Sequence, residues 1–307
     1  MRILPTFGRY LRGEFGCAVR KIPLSVSSFT CPNIDGKLSR GGCSYCANES
    51  FSPNLDLSIA SGGIGEGEIE AQIEGVLRQY RESEELFKRR GVKRFLAYFQ
   101  SFSNTYCEIE PLRRLHNAVL AKRSCVGLSI GTRADCIDEK MLDYLIELDQ
   151  KTHLWVEIGI QSSHNETLKK INRQESYDAI AQKITMLRSR GIRVCAHLIF
   201  GLPDETNDMI LQTVDRVAKL NINAVKIHPL YIVKNTAMAK QNHKPIELEN
   251  YLYLLKEAIA ILPKDIIYQR VSAGVENDTL IAPKWCANKN AQMSAIRKAL
   301  LSNKIIY

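Results

Sequence analysis

Cys31, Cys43 and Cys46 stand together in the segment CPNIDGKLSRGGCSYC. Clustered thiolates are soft ligands for iron and zinc, and three of them can hold three irons of a cubane [4Fe-4S] cluster. Cys17 lies upstream and Cys107 far downstream, and no histidine precedes His116. With no fourth ligand nearby, the fourth iron stays open, and an open iron is a place for chemistry; the chain reads as an enzyme. A structural zinc site wants four ligands, and a redox Cys-x-x-Cys built from Cys43 and Cys46 leaves Cys31 unexplained. Ligand counting therefore ranks the cluster ahead of zinc, and zinc ahead of a dithiol. Gly36, Gly41 and Gly42 suit the cluster, because glycines let backbone N–H groups turn toward sulfur as in an anion-binding nest.

Other side chains have chemistry in reach. Lys226 and His228 alternate in AVKIHPL and share one strand face, to meet substrate or to form a satisfied, half-buried pair. Glu157 shares its face with Gly159 and Gln161; a carboxylate in so apolar a run needs a partner, and Arg133 is the expected one. Cys125 and Cys195 read as small buried hydrophobes, as do Cys17, Cys107, Cys136 and Cys286, with a reactive thiol as the alternative for these four. Arg9, Arg12, Arg20 and Lys21 mix with Tyr10 and Phe15, a cation–aromatic pattern expected of a nucleic-acid contact.

The elements that must position these residues recur at roughly 30-residue intervals, the rhythm of β/α units. Strand-like runs are Leu24–Ser28, Arg94–Gln100, Val126–Gly131, Leu154–Ile160, Val194–Phe200 and Ala224–Leu230. They are nearly continuous apolar stretches, as in a parallel sheet covered on both faces. Amphipathic helices are expected over Glu68–Arg90, Glu108–Lys122, Asp138–Gln150, Tyr177–Arg190, Thr206–Leu220 and Glu247–Leu262. Gly91 and Gly191 act as C-terminal stops, and Asp138 as an N-cap. The class is α/β, and a partial (β/α)6 barrel and an open doubly wound sheet both fit; either puts chemistry at the carboxyl ends of the strands. Ile59–Gly67 (IASGGIGEG) lacks the order of a phosphate loop and reads as a connector. The tail offers a seventh strand (Ile266–Val271) and a short basic helix (Gln292–Leu301).

Composition bounds the rest. The 307 residues are 45% hydrophobic and 24% charged, an ordinary globular balance. Nine cysteines, an odd number, in a chain whose first residues (MRILPTFGRY) lack an apolar signal core argue for reduced thiols in a cytoplasm. No run is long and apolar enough to span a membrane. The net charge of +9 suits a polyanionic partner, nucleic acid first, and equally a basic enzyme without one.

Taken together, CPNIDGKLSRGGCSYC, YFQSFSNTY, SIGTRADC, VEIGIQSSHNETLKKINR, IFGLPDET and APKWCANKN resemble the radical S-adenosylmethionine superfamily. Within it the chain is similar to the branch of the Elongator catalytic subunit, and more closely to a single-domain YhcC/YtqA-like group, over residues 7 to 290. The resemblance implies a partial (β/α)6 TIM-like barrel forming one structural domain, with an extension over 1–20, a core over 21–235 and a helical extension over 236–307. It implies a [4Fe-4S] cluster on Cys31, Cys43 and Cys46, with S-adenosyl-L-methionine on the open iron, cleaved to methionine and a 5′-deoxyadenosyl radical. Cofactor contacts carry over to Tyr45, Gln161, Arg173, His197 and Gly201; His197 stands where relatives often carry aspartate. Gln100 and Ser101 replace a Gly-Gly-rich turn, and eleven residues separate the first two cysteines where three are usual. Lys226 and His228 are the candidate substrate-facing groups. The resemblance further implies a tRNA substrate remodelled at the C5 side chain of the wobble uridine, and a flavodoxin- or ferredoxin-like electron donor. A small metabolite or protein substrate is the alternative, and a zinc-stabilised binding protein the reading from another class.

Overall fold

Apolar runs covered on both faces become a parallel sheet here, and the order of its strands decides its shape. The computed structural model describes residues 1–50, 52, 55, 69–275 and 278–307. The chain begins with β1 (Arg2–Ile3), α1 (Phe7–Phe15), β2 (Val19–Leu24), α2 (Ile69–Lys88), β3 (Arg94–Phe99) and α3 (Ile109–Leu120). It continues through β4 (Cys125–Thr132), α4 (Glu139–Lys151), β5 (His153–Gln161), α5 (Asn165–Lys170), α6 (Tyr177–Ser189), β6 (Arg193–Phe200) and α7 (Asn207–Ala218). β7 (Ala224–Pro229), β8 (Ile232–Val233), α8 (Leu248–Ile261), β9 (Ile267–Arg270), β10 (Leu280–Ala282), α9 (Lys289–Ser302) and β11 (Ile305–Ile306) complete it.

Seven strands pair in parallel in the order β2-β3-β4-β5-β6-β7-β9. The order never reverses, so there is no switch point of the doubly wound kind. Right-handed crossovers in one direction put the helices on one side, and the sheet curls into a half barrel. The seventh strand expected from the tail is β9, and the basic helix is α9, capped by Asn288, whose side chain accepts from Ala291 N at 2.9 Å. Asp138 accepts from Met141 N at 2.8 Å as the N-cap of α4, and Gly91 and Gly191 end α2 and α6 with φ of 79° and 84°. The glycine-rich segment Ile59–Gly67 lies outside the described residues.

The first sheet strand is not Leu24–Ser28 but β2, Val19–Leu24. Leu24 pairs with Phe99, the last residue of β3, so the chain beyond it has no strand to pair with and runs on as a buried loop toward the cysteines.

Alternate residues face the inside of the barrel and form layers. At the N-terminal ends of the strands, Val19, Leu96, Trp155, Cys195, Ala224 and Ile267 pack with Phe7 and Leu11, so α1 plugs the barrel. Phe7 meets Trp155 edge-on at 5.3 Å between ring centroids. The opposite faces, including Leu128, Ile130, Val156, Ile158, Val194 and Ala196, join the helices in the main core. β1 pairs in parallel with β11, Arg2 opposite Ile305 and Ile3 opposite Ile306, and Leu4 N donates to Ile306 O at 2.8 Å. No described helix is long and apolar enough to cross a membrane.

Candidate active site

The loop after β2 carries the three cysteines into a cavity of about 250 Å3 at the carboxyl ends of the strands. Its backbone is shaped by Gly36, Gly41 and Gly42, with φ of 101°, 85° and 78°, a region that side chains beyond Cα disfavour. Cys46 N donates to Cys43 O at 2.9 Å, and Gly42 N to Asn33 O at 2.7 Å. Asn33 Nδ2 lies 3.6 Å from Cys43 Sγ and Asn48 Nδ2 3.9 Å from Cys46 Sγ, so these two sulfurs each face an amide donor. Asn172 pins the loop from across the barrel: its Nδ2 donates to Ser39 Oγ at 2.9 Å and Gly42 O at 2.8 Å, and its carbonyl accepts from Asn33 Nδ2. Ser44 N donates to Ile171 O at 2.9 Å, and Met238 N to Ser44 O at 2.7 Å.

Burial, then the neighbouring Cys43 and Cys31 sulfurs, push the Cys46 thiol well above its usual range. Three thiolates crowded together need a cation to hold them deprotonated. Among the described residues, no three His, Cys, Asp or Glu side chains gather closely enough to hold a single metal ion. Cys31, Cys43 and Cys46 instead share one cavity wall as an all-thiol donor set, the chemistry of iron–sulfur ligation.

Beside the cysteines two buried arginines meet. A break in the β5–β6 register between Gly159 and Gln161 puts Gln161 at a φ of 68° and turns its amide over Gly159. A methyl group on Gly159 would come within 2.5 Å of Gln161 Nε2, so only glycine leaves that amide its place. Arg173 Nη2 donates to Gly159 O at 2.7 Å and meets Glu175 at 2.7 Å. Arg133 grips Asp135 through two bonds of 2.9 and 2.7 Å, lies 3.2 Å from Glu175 and donates to Arg173 O at 3.0 Å. Arg133 Nη1 and Arg173 Nε, both buried, have no hydrogen-bond partner among the described residues, and neither does Ser103 Oγ on the same cavity. A buried donor without a partner costs about 1–3 kcal/mol, so these groups are open to a bound molecule or to water.

The expected Glu157–Arg133 pair does not form. Glu157 reaches inward from β5, 1% exposed, and both of its oxygens are used: Oε1 accepts from Lys21 and from Ser129 Oγ at 2.5 Å, Oε2 from Lys226 and from His197 Nε2 at 2.8 Å. Lys226 also donates to Tyr98 OH at 2.9 Å, and the Lys21 and Lys226 ammonium groups lie 4.4 and 4.3 Å from the Tyr98 ring centre. Burial opposes the Glu157 charge, but Lys21, Lys226 and His197 outweigh it and hold the carboxyl well below its usual range. Burial pushes Lys21 down to about 7; Glu157 opposes the shift and Lys226 adds to it. His197 is held neutral, its pKa pushed down to about 4 by burial and by Lys226 against the pull of Glu157.

This polar layer takes Lys21 out of the basic cluster read as a nucleic-acid contact. Arg9 donates to Leu4 O at 3.0 Å, and Tyr10 and Phe15 pack on His153. That cluster closes the far end of the barrel, away from the cysteines.

Tyr45, Gln100, Gln161, Arg173, His197, Lys226 and His228 line the same cavity as the cysteines. Ser101 and Gly201 do not. Ser101 is buried with its hydroxyl between Ser25 Oγ at 2.8 Å and Ser52 Oγ at 2.9 Å. Gly201, with a φ of 87°, offers its carbonyl to His243 Nε2 at 2.9 Å, and a methyl group there would meet Ile246 at 2.8 Å. Sequence reasoning did not single out Asn33, Asn48, Asn172, Tyr98 or Arg270, although Asn172 stands beside Arg173 in the quoted INR and Asn33 two residues after Cys31.

Residues 39–217 match the Radical SAM superfamily, and residues 222–302 the Radical_SAM C-terminal domain. Protein YhcC of Escherichia coli K12 is 36% identical over 293 residues, covering 94% of this chain and 89% of that protein. A tRNA uridine(34) acetyltransferase of Methanocaldococcus infernus is 26% identical over 168 residues, 52% of this chain and 31% of that one. The solved structure of the archaeal Methanocaldococcus infernus Elp3 with an N-terminal deletion superposes with a TM-score of 0.61 at 18% identity, over 93% of this chain and 63% of that one. The chain thus spans less than two thirds of that structure and about a third of the acetyltransferase, and the structural likeness is one of fold.

Proposed function

The chain belongs to the radical SAM superfamily, and from that premise we propose that it is a tRNA-modifying enzyme that remodels the C5 side chain of a wobble uridine. Its cofactors are those of the family, a [4Fe-4S] cluster and S-adenosylmethionine. The donor set fits both. Cys31, Cys43 and Cys46 would hold the cluster, and the spare N–H groups of Arg133 and Arg173 are matched to the carboxylate of an amino acid. Tyr45, Gln161 and Ile199 on the cavity wall would flank the nucleoside part. When bound, the pair supplies abstraction of a hydrogen atom from a substrate carbon.

The residues of the chain do the rest. The amides of Asn33 and Asn48 face sulfur and temper its charge. Arg133 and Arg173, tied to Asp135 and Glu175, keep one orientation and need no reorganisation when a carboxylate arrives. The plug at α1 and the fully used Glu157 close the inner end of the cavity, so that water reaches it only through the mouth. An external electron donor of flavodoxin or ferredoxin type completes the set.

The observation that carries the substrate reading is half the chain aligned with a tRNA uridine(34) acetyltransferase. The cavity agrees with it: exposed Lys37, Arg40, Lys169, Lys240 and Lys244 sit on segments that follow strand carboxyl ends, the end where it opens. A carboxymethylaminomethyl arm would present a C–H bond weakened by the adjacent nitrogen; removal of that hydrogen atom and of one further electron, taken up by the oxidised external electron carrier, would give an imine, and water would cleave its C–N bond to leave aminomethyl uridine and glyoxylate. The test is 5′-deoxyadenosine formation by the anaerobically reconstituted enzyme with bulk tRNA and with RNase-digested tRNA. Stimulation by intact tRNA alone is expected, together with altered wobble nucleosides in a deletion strain. Unchanged nucleosides, with equal 5′-deoxyadenosine from both samples, point to a small metabolite or protein substrate instead.

A further inference from the structure

The wall of the cavity formed by β7 and β9 carries two cations, Lys226 and Arg270, and among the described residues only Lys226 has a carboxylate partner, Glu157. Lys226 and Arg270 are register partners on these neighbouring strands, and both line the cavity with His228 between them and the mouth. Like charges directly opposite each other on a sheet repel. The only carboxylate lining the cavity among the described residues is Glu157, and its oxygens are shared among Lys21, Lys226, Ser129 and His197. The Arg270 side chain makes no ion pair or hydrogen bond with any described residue and is exposed, while Lys226 is only 5% exposed. The His228 ring likewise has no hydrogen-bond partner among the described residues. Burial, with Arg270, His197 and Lys226 nearby, keeps its ring neutral. The arginines that face the cysteines have acids of their own in Asp135 and Glu175; Arg270 has none among the described residues.

We propose that Lys226, His228 and Arg270 form a recognition subsite for a carboxylate carried by the substrate. Arg270 offers a planar fork that matches a carboxylate in two parallel bonds, the neutral His228 ring one N–H donor, and Lys226 the charge at the inner end. The depth of Lys226 excludes a phosphate of a polymer backbone; only a slim terminal arm reaches it. The proposal rests on the wobble-uridine reading and specifies what the arm must carry.

Two measurements test it on the cofactor-loaded enzyme. The first compares kcat/KM for tRNA bearing a carboxymethylaminomethyl arm with the same tRNA bearing the carboxamide. Wild type is expected to prefer the carboxylate by about tenfold or more. Arg270→Gln should abolish the preference, Arg270→Lys should keep part of it, and Arg12→Gln, at the plugged end, should keep all of it. A preference unchanged in Arg270→Gln, or absent in wild type, overturns the subsite. The second is equilibrium dialysis with radiolabelled N-methylglycine, which has the same amine–methylene–carboxylate end. Binding by wild type that Arg270→Gln loses supports the subsite; no binding, or equal binding, overturns it. Wild type inert toward every tRNA sinks the function proposed above, and the dialysis result then decides the subsite alone.

Discussion

Asn172 has a φ of 55°, a left-handed backbone that asparagine tolerates better than most residues, and from there its amide holds Ser39 and Gly42 of the cysteine loop. Two such bonds are worth about 1 kcal/mol each. Asn172→Gly keeps the backbone at ease and removes both, so the enzyme should retain its circular dichroism yet lose iron on anaerobic desalting. Iron retained at the wild-type ratio would mean that the loop does not need the pin. The cysteines themselves were legible because a thiol's chemistry goes with its type, and three at such spacing admit few uses. The partner of Glu157 was not. Sequence suggested Arg133 from the adjacent strand, whereas Lys21 crosses from β2 and Lys226 from β7, a meeting that exists only once the sheet has curled.

At the scale of elements, the same curl explains which strands could be read in advance. β3 to β7 present apolar runs because helices cover their outer faces, and they fall where the hydrophobic pattern put them. β2 reads VRKIPL; its inward Lys21 belongs to the polar layer and breaks the run, so the buried loop after it looked more like a strand. α4, α6 and α7 begin where local signals put them, at the capping side chains of Asp138, Ser176 and Thr206. His116 marks how α3 and α4 dock: it is fully buried, 5.0 Å from the Phe99 ring, with Nδ1 2.7 Å from Tyr144 OH. Burial pushes its pKa down to about 3, against about 6.5 in an unfolded chain. The unfolded state therefore binds the proton first as pH falls. The contribution is complete above about pH 6.5 and shrinks by about 1.4 kcal/mol per pH unit on the way down. Urea denaturation between about pH 6 and pH 4 should show wild type falling more steeply than His116→Gln by that amount. Parallel pH dependences in the two proteins would contradict the assignment.

For the molecule as a whole, charge and topology separate two ends. The plug end carries Arg9 and Arg12 of α1; the mouth carries Lys37, Arg40 and the loops after β5 and β7. If tRNA docks at the mouth, log affinity should fall with log salt at a slope of roughly −3 or steeper, and Lys37→Glu with Arg40→Glu should flatten it by about 2. Arg12→Glu should leave it as it was. A slope near zero, or one altered only by Arg12→Glu, would move the RNA elsewhere. The two ends also differ in when they can form. The cysteine loop takes its pins from Asn172 and Met238, whereas β1 waits for β11, and Tyr268 N must reach Pro5 O at 2.8 Å before α1 is anchored. Contacts so distant along the chain close late. On the ribosome, α1 thus waits unseated for β9, and a nascent chain would keep Lys21 and Glu157 open to water until translation has run past that strand.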